Sequence, residues 1–174
     1  MKNIILIISF LFYSVSIVYA QEQSFFKNSW KGDMTFVTQE KGSLEISSIT
    51  APEMCWHLDA SSKRVSIYRD VQLNSINGTV WCSFLVLKEK GNSRLGFSLE
   101  KGVEERIFVE AKQTREPQLV VVRIDFSDEP DKVDKAYVFY SPTAAAVPDL
   151  ENAEYTLSGK FDFNRIKILA EKGS

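Results

Sequence analysis

The feature that most constrains the fold of this chain is a series of short apolar runs separated by turn residues. The runs are rich in Val, Ile, Phe and Tyr, and none has the period of an amphipathic helix. Runs of this composition between Gly, Pro, Asn and Asp are typical of β-strands. About ten such runs with little helix predict an all-β fold, either a two-sheet antiparallel β-sandwich or a barrel.

The segment 119–126 shows the alternation of a half-buried strand most clearly. Val122 and Ile124 have one parity, and Arg123 and Asp125 have the other. Because successive side chains of a strand point to opposite faces, we expect the apolar pair in the core and the polar pair outside.

The segment 80–87 is apolar on both parities, so both of its faces need shelter. We expect Cys82 and Phe84 to point between the two sheets and Trp81 to point to the outer, concave surface. The other predicted strands are 34–37, 44–49, 55–58, 65–73, 94–99, 106–111, 136–140, 155–158 and 161–169, with one helical turn at 150–154.

The chain begins with a pattern typical of a secretory signal peptide. Lys2 precedes an uncharged apolar run from 4 to 18, and Val18 and Ala20 would stand at −3 and −1 of a cleavage site. The run is short for a membrane span of about 20 residues, and no basic flank follows it. The sequence therefore predicts a signal peptide at 1–20, one domain at 21–174, and a secreted or periplasmic product with no membrane span after signal removal.

The net charge of the chain bears on whether it binds nucleic acid. Removing Lys2 with the leader takes one of the 21 basic residues and leaves all 23 acidic ones. An acidic chain without a basic stripe argues against a nucleic-acid partner.

Cys55 and Cys82 leave two alternatives open. In an oxidising compartment they can form a disulfide, which would close a loop of about 27 residues and add roughly 3 kcal/mol. They can equally be two buried thiols that behave as small hydrophobic side chains.

Six short sequence segments occur in an order that resembles a known family. They are GTVWCSFL (78–85), LGFSL (95–99), RIF (106–108), VRIDF (122–126), SP (141–142) and FDFNRIKI (161–168). In this order they resemble exported bacterial domains of the concanavalin A-like lectin/glucanase superfamily, in its laminin-G-like form. The resemblance covers residues 79–169. It implies a jelly-roll of two curved antiparallel sheets that binds or cleaves polysaccharides on its concave face, with calcium near that rim in some members.

The sequence assigns no catalytic residue. The glucanases of that superfamily need a Glu-x-Asp-x-x-Glu strand, which brings two carboxylates to the sugar, and this chain has none. His57 is the single histidine, without a nucleophile elbow or metal-type spacing nearby. Whether the protein is an enzyme stays open, because an unfamiliar layout would leave no such signature.

Calcium is the one cofactor that the sequence leaves open. Acidic residues cluster from 125 to 134, and Asp128, Asp131 and Asp134 are the candidates because calcium prefers oxygen ligands. The alternative interpretation is a solvated acidic turn.

Aromatic residues beside polar ones are the better candidates for a binding site. Trp81, Arg123 and Asp125 share the predicted outer face, and Trp56 and Tyr137 are further candidates. Sugar rings stack on Trp and Tyr while Arg and Asp hydrogen-bond to hydroxyls. The alternative is that these aromatic rings build the core.

These patterns give three function hypotheses. The first is an exported, lectin-like, non-catalytic carbohydrate-binding or accessory module in bacterial polysaccharide utilisation, whose partner is a polysaccharide or oligosaccharide. The second is a polysaccharide hydrolase or lyase with an atypical site. The third is a structural or adhesive envelope protein, which would present a large exposed apolar patch.

Overall fold

The structure is a computed structural model of the 174-residue chain. It describes residues 5–6, 30–41, 45–46, 49–50, 54–58, 60, 62–71, 78–88, 94–114, 116–129, 131–142 and 147–171. For residues 5–6, 36–41, 45–46, 49–50 and 54–57 the description covers the backbone alone.

The described chain is built almost entirely from strands. They are β1 (Ile5–Leu6), β2 (Lys31–Gly32), β3 (Val37–Lys41), β4 (Glu45–Ile46), β5 (Ile49–Thr50), β6 (Met54–Leu58), β7 (Val65–Asp70), β8 (Gly78–Leu87), β9 (Arg94–Lys101), β10 (Glu104–Glu110), β11 (Gln118–Phe126), β12 (Asp134–Tyr140), β13 (Tyr155–Gly159) and β14 (Arg165–Glu171). Short 3-10 helices lie at Met34–Phe36 and Leu150–Asn152. The second of these confirms the predicted helical turn.

Two antiparallel sheets form the body of the protein. The first sheet has the order β13-β12-β11-β8-β1-β6-β3, and the second has the order β10-β9-β14-β7-β2. In the first sheet β13, β12, β11 and β8 pair over five to nine residues, whereas β1 joins β8 to β6 through two residues. The strands β4 and β5 pair only with each other. The predicted all-β, two-sheet antiparallel β-sandwich is confirmed.

The core lies between the two sheets, where it was predicted. Val122 of β11 pairs with Cys82 of β8, and both are fully buried. Phe84 of β8 meets Phe97 of β9 across the sandwich, with ring centroids 4.7 Å apart. Phe84 and Ile124 are also buried in this cluster, so the four residues expected between the sheets are all there.

The strand β1 lies inside the segment predicted as a leader. Its Ile5 pairs with Leu87 of β8 on one side and with His57 of β6 on the other. The described core residues all lie between Leu58 and Ala170, so none of them comes from the leader. No helix among the described residues is long and apolar enough to cross a membrane.

The strand predicted at 34–37 is wrong over its first three residues. The chain there makes the 3-10 turn at Met34–Phe36, and β3 begins at Val37. Just before this turn Gly32 has φ +110°, and Asp33 accepts a hydrogen bond from the Ser66 amide at 3.0 Å. These contacts with β7 turn the chain from the second sheet towards the first.

The predicted strand at 161–169 begins four residues late, at Arg165. The Phe161 amide donates to Asp134, and the Asn164 amide donates to the Glu100 carbonyl oxygen. Because the Phe161 amide is used by a side chain of β12, the segment 161–164 stays outside the ladder and β14 begins beside Glu100 of β9. The predicted strand at 44–49 is likewise two short strands, β4 and β5.

Cys82 has a free, buried thiol, so the disulfide alternative is not formed in this structure. Cys55 lies in β6, and its side chain is outside the described residues. The strand β1 separates β6 from β8, which puts the two strands about 10 Å apart. A disulfide requires Cα atoms within about 7 Å of each other.

Candidate functional site

Three of the predicted site residues form one row across the outer face of the first sheet. Trp81 of β8 pairs with Arg123 of β11, and Arg123 pairs with Tyr137 of β12. Directly opposite residues on neighbouring strands share a face, with Cβ atoms about 5 Å apart. All three side chains are partly exposed, and we call them the Trp81 row. The prediction that Trp81 and Arg123 share the outer face is confirmed.

The Arg123 guanidinium is held in a fixed position within the row. Its carbon lies 5.4 Å from the centroid of the Trp81 ring, within the range of a cation–π contact. Its Nε donates a hydrogen bond of 2.7 Å to Oδ1 of Asp125. An arginine fixed on two sides loses little side-chain entropy when it binds a ligand.

Asp125 lies two residues after Arg123 on β11 and therefore on the same face. Its Oδ1 also accepts a 2.7 Å hydrogen bond from the hydroxyl of Thr79. Thr79 and Lys135 are the residues paired with Asp125 on the two neighbouring strands. These three form a second, polar row beside the first, which we call the Asp125 row.

The row on the other side of the Trp81 row is largely apolar, with Val121 and Phe139 beside Ser83. Phe139 stacks on Trp81 with ring centroids 6.5 Å apart and an interplanar angle of 25°. Leu85 and Leu119 lie further along the same face, and all three of these side chains are buried. Along the strands, the face therefore changes from charged at the Asp125 row to apolar at Phe139. The partly exposed Trp81 ring lies between the two regions.

Tyr137 ends the Trp81 row with a polar group. Within the described part of the chain its hydroxyl has no hydrogen-bond partner, although the side chain is partly buried. Thr156 of β13 pairs with Tyr137 and is exposed. The row thus offers a donor and acceptor at its outer end.

Trp56 is not brought into this row by the described backbone. It lies on β6, where it pairs with Leu6 of β1, and Leu6 in turn pairs with Val86. The strand β1 thus separates it from β8. The side chains of Trp56 and of His57 lie outside the described residues.

The three calcium candidates occupy different environments. Asp134 is buried, and its two oxygens accept hydrogen bonds from the amides of Ser127 and Phe161 at 3.0 and 2.8 Å. Asp128 and Asp131 are exposed in the preceding loop. Among the described residues no three His, Cys, Asp or Glu side chains are grouped to hold a metal ion. Asp134 therefore links two connecting segments of the chain through hydrogen bonds.

The outer face of the second sheet also carries aromatic rings, but arginines cover them. The Arg94 guanidinium lies 3.9 Å from the Phe108 ring centroid, and that of Arg165 lies 4.2 Å from the Tyr68 centroid. The corresponding distance at Trp81 is 5.4 Å, so its guanidinium lies further from the ring.

No family model, curated protein or solved structure matches this chain. The resemblance to the concanavalin A-like superfamily, and the jelly-roll connectivity that it implies, stay predictions. The two-sheet fold rests on the structure alone.

Sequence reasoning missed three residues of this face, namely Thr79, Lys135 and Phe139. A signal for them was present, because each is two residues from Trp81 or Tyr137 and so has the same parity. What the sequence could not provide is the register that puts Thr79 and Lys135 on either side of Asp125.

Proposed function

We propose that this protein is an exported, non-catalytic carbohydrate-binding or accessory module in bacterial polysaccharide utilisation, secreted or held in the periplasm. The observation that carries the proposal is the direct register of Trp81, Arg123 and Tyr137 on one outer face. An aromatic ring, a fixed guanidinium and a hydroxyl without a partner among the described residues, all in one row, match the apolar faces and the hydroxyl groups of a sugar.

The length of this surface supports an extended ligand. The Trp81 row extended by Thr156 crosses β8, β11, β12 and β13, which at a strand spacing of about 4.8 Å makes a strip about 14 Å long. A strip of this length accommodates several sugar units of a chain that runs across the strands. Thr156 at its far end is exposed and adds a hydroxyl.

The proposed location follows from the apolar N-terminal segment, which is typical of a secretory leader. The proposed setting in polysaccharide utilisation follows from the resemblance to lectin-like jelly-rolls, and is an analogy between folds.

The alternative is a hydrolase or lyase with an atypical site, whose catalytic residues would have to lie on this same face. A glycosidase positions two carboxyl groups on either side of the scissile bond. Asp125 is the carboxylate of the two rows, and its Oδ1 is already engaged by Arg123 and Thr79. This engagement favours a binding role for the face.

Affinity electrophoresis of the chain 21–174 in gels that contain plant or algal polysaccharides tests the proposal. We expect retardation in at least one gel, with loss of retardation in Trp81→Ala and in Tyr137→Ala. Tyr68→Ala is the matched control, because it removes an aromatic ring from the outer face of the other sheet. Near-UV circular dichroism establishes that each variant is folded.

Normal mobility of the folded protein in every gel would overturn the binding proposal and leave the structural or adhesive envelope role. Release of reducing ends or unsaturated products from a retained polymer would instead establish the enzyme. Equal retardation of Trp81→Ala and the unchanged protein would move the binding site away from this face.

A further inference from the structure

The Trp81 row and the Asp125 row together carry an excess of positive charge on a protein that is acidic overall. The whole chain has a formal net charge of −2. The two rows contain Arg123 and Lys135 against the single carboxylate of Asp125, which leaves a local charge of about +1. A positively charged patch on an acidic protein favours the binding of negatively charged ligands at that patch.

Arg123 has donors left over after its structural contacts. Its Nε is used by Asp125, whereas no described residue accepts a hydrogen bond from its two terminal nitrogens. The side chain is 25% exposed, so these nitrogens are within reach of a ligand. The fork of a guanidinium matches the two oxygens of a carboxylate or a sulfate.

Lys135 is exposed and makes no ion pair with any described residue. This sets it apart from other lysines of the sheets and their flanking loops, several of which are paired. Those lysines are Lys31 with Asp70, Lys101 with Asp162, Lys112 with Glu154 and Lys167 with Glu100. Lys135 lies across from Asp125 and two residues from Tyr137, at the edge of the Trp81 row.

We infer that the glycan bound by this face is acidic, and that its carboxylate or sulfate group binds to the free side of Arg123 with Lys135 beside it. This inference rests on the proposed function and names the class of its ligand. Asp125 is the group that makes the contact directional, because it holds the Nε side of the guanidinium and leaves the terminal nitrogens for the ligand.

The contact explains why a charged group lies beside a stacking ring. A sugar that stacks on Trp81 presents its ring substituents to the neighbouring strand, where Arg123 lies directly opposite. Hydrogen bonds between charged partners are about twice as strong as neutral ones, and salt weakens them at an exposed site. Binding of an acidic glycan is therefore expected to fall as ionic strength rises.

The test is a titration of the chain 21–174 with matched oligosaccharide pairs, followed by tryptophan fluorescence. One pair is oligogalacturonate and its methyl ester, and the other is a sulfated galactan fragment and its desulfated form. We expect about tenfold tighter binding of the acidic member of at least one pair. The pair that responds distinguishes a carboxylate from a sulfate.

Variants locate the effect on this face. Lys135→Gln should weaken binding of the acidic member about threefold and leave the neutral member unchanged. Lys101→Gln, which removes the same charge from the second sheet, should bind like the unchanged protein. Arg123→Gln should remove most of the preference for the acidic member.

Equal affinity for both members of each pair would overturn the inference and leave the proposed carbohydrate binding intact. A preference for the acidic member that survives Lys135→Gln and Arg123→Gln would also overturn it. Absence of binding to these and to all other glycans would remove the proposed function itself.

Discussion

Trp81 and Arg123 lie directly opposite each other on β8 and β11, with the guanidinium carbon 5.4 Å from the centre of the indole ring. The pair is held from below by the core residues Cys82 and Val122, which are their neighbours along each strand and pair with each other. From the side it is held by Asp125, which binds the Arg123 Nε. The sheet thus fixes two groups of opposite character side by side, an apolar aromatic ring and a charged guanidinium.

Asp134 is predicted to support the fold. Its carboxylate joins the amides of Ser127 and Phe161, which belong to two different connections. Asp134→Ala leaves both amides without this acceptor, so we expect a loss of about 1–3 kcal/mol in the free energy of unfolding, measured in urea. Asp131→Ala, in the exposed connection just before β12, should change it by less than about 0.5 kcal/mol. A loss as small for Asp134→Ala as for Asp131→Ala would contradict this role.

The acid stability of the protein should depend on Asp33 and Asp70. The Ser66 amide, with Lys63, lowers the pKa of Asp33 below the usual 3.8. Hydrogen bonds from Lys31 and Arg165 lower the pKa of Asp70 in the same way. A carboxyl group whose pKa falls on folding adds stability above its unfolded pKa, and that stability is lost as the pH falls through the folded value.

We therefore expect the urea midpoint to fall as the pH drops from about 5 to about 2, and to fall less in the double variant Asp33→Asn/Asp70→Asn. High salt should weaken the part due to the exposed ion pairs of Asp70 more than the part due to the Ser66 amide. An acid dependence identical in the variant and the unchanged protein would count against this assignment.

Cys82 should be inert in the folded protein. Burial raises the pKa of its thiol to about 12, so almost no thiolate is present at neutral pH. In a Cys55→Ser background we expect no reaction with a maleimide until urea unfolds the chain. Rapid labelling of the native protein would show that Cys82 is accessible. In the unchanged protein, a mass loss typical of a disulfide would show that the other alternative forms in solution.

The face assignments on the central strands could be predicted from sequence, because alternation alone determines them. In the segment 119–126 the parity of Val122 and Arg123 puts one inside and one outside, and the structure agrees. The ends of strands could not be predicted in this way. Phe161 and Phe163 alternate with polar residues and are buried, yet the Phe161 amide is used by Asp134, which lies 27 residues earlier.

For the candidate site, too, alternation predicted which face a residue is on but not which residues are neighbours across strands. The shared face of Trp81 and Arg123 follows from parity, and Tyr137 joins them only because the register of β11 and β12 puts it opposite Arg123. These two strands are consecutive in the chain, but their register depends on the geometry of the connection between them, which a single sequence does not reveal. Trp56, chosen for its residue type alone, lies on a strand that is not adjacent to β8.

Removal of residues 1–20 should leave a folded domain. All described core residues lie between Leu58 and Ala170, whereas β1 contributes two paired residues to the sheet. We expect the chain 21–174 to unfold in one cooperative step with a sharp near-UV signal. A truncated chain that lacks this transition would show that β1 is required and that the predicted domain boundary is wrong.

The central claim is that glycan binds over Trp81, and acrylamide quenching of a protein with Trp81 as its single tryptophan tests it most directly. The substitutions Trp30→Phe and Trp56→Phe provide that protein, and retardation in a polysaccharide gel establishes that it still binds. The account predicts that a saturating glycan lowers the quenching of Trp81 fluorescence, because the sugar covers the exposed part of the ring. Unchanged quenching while the glycan remains bound would contradict it.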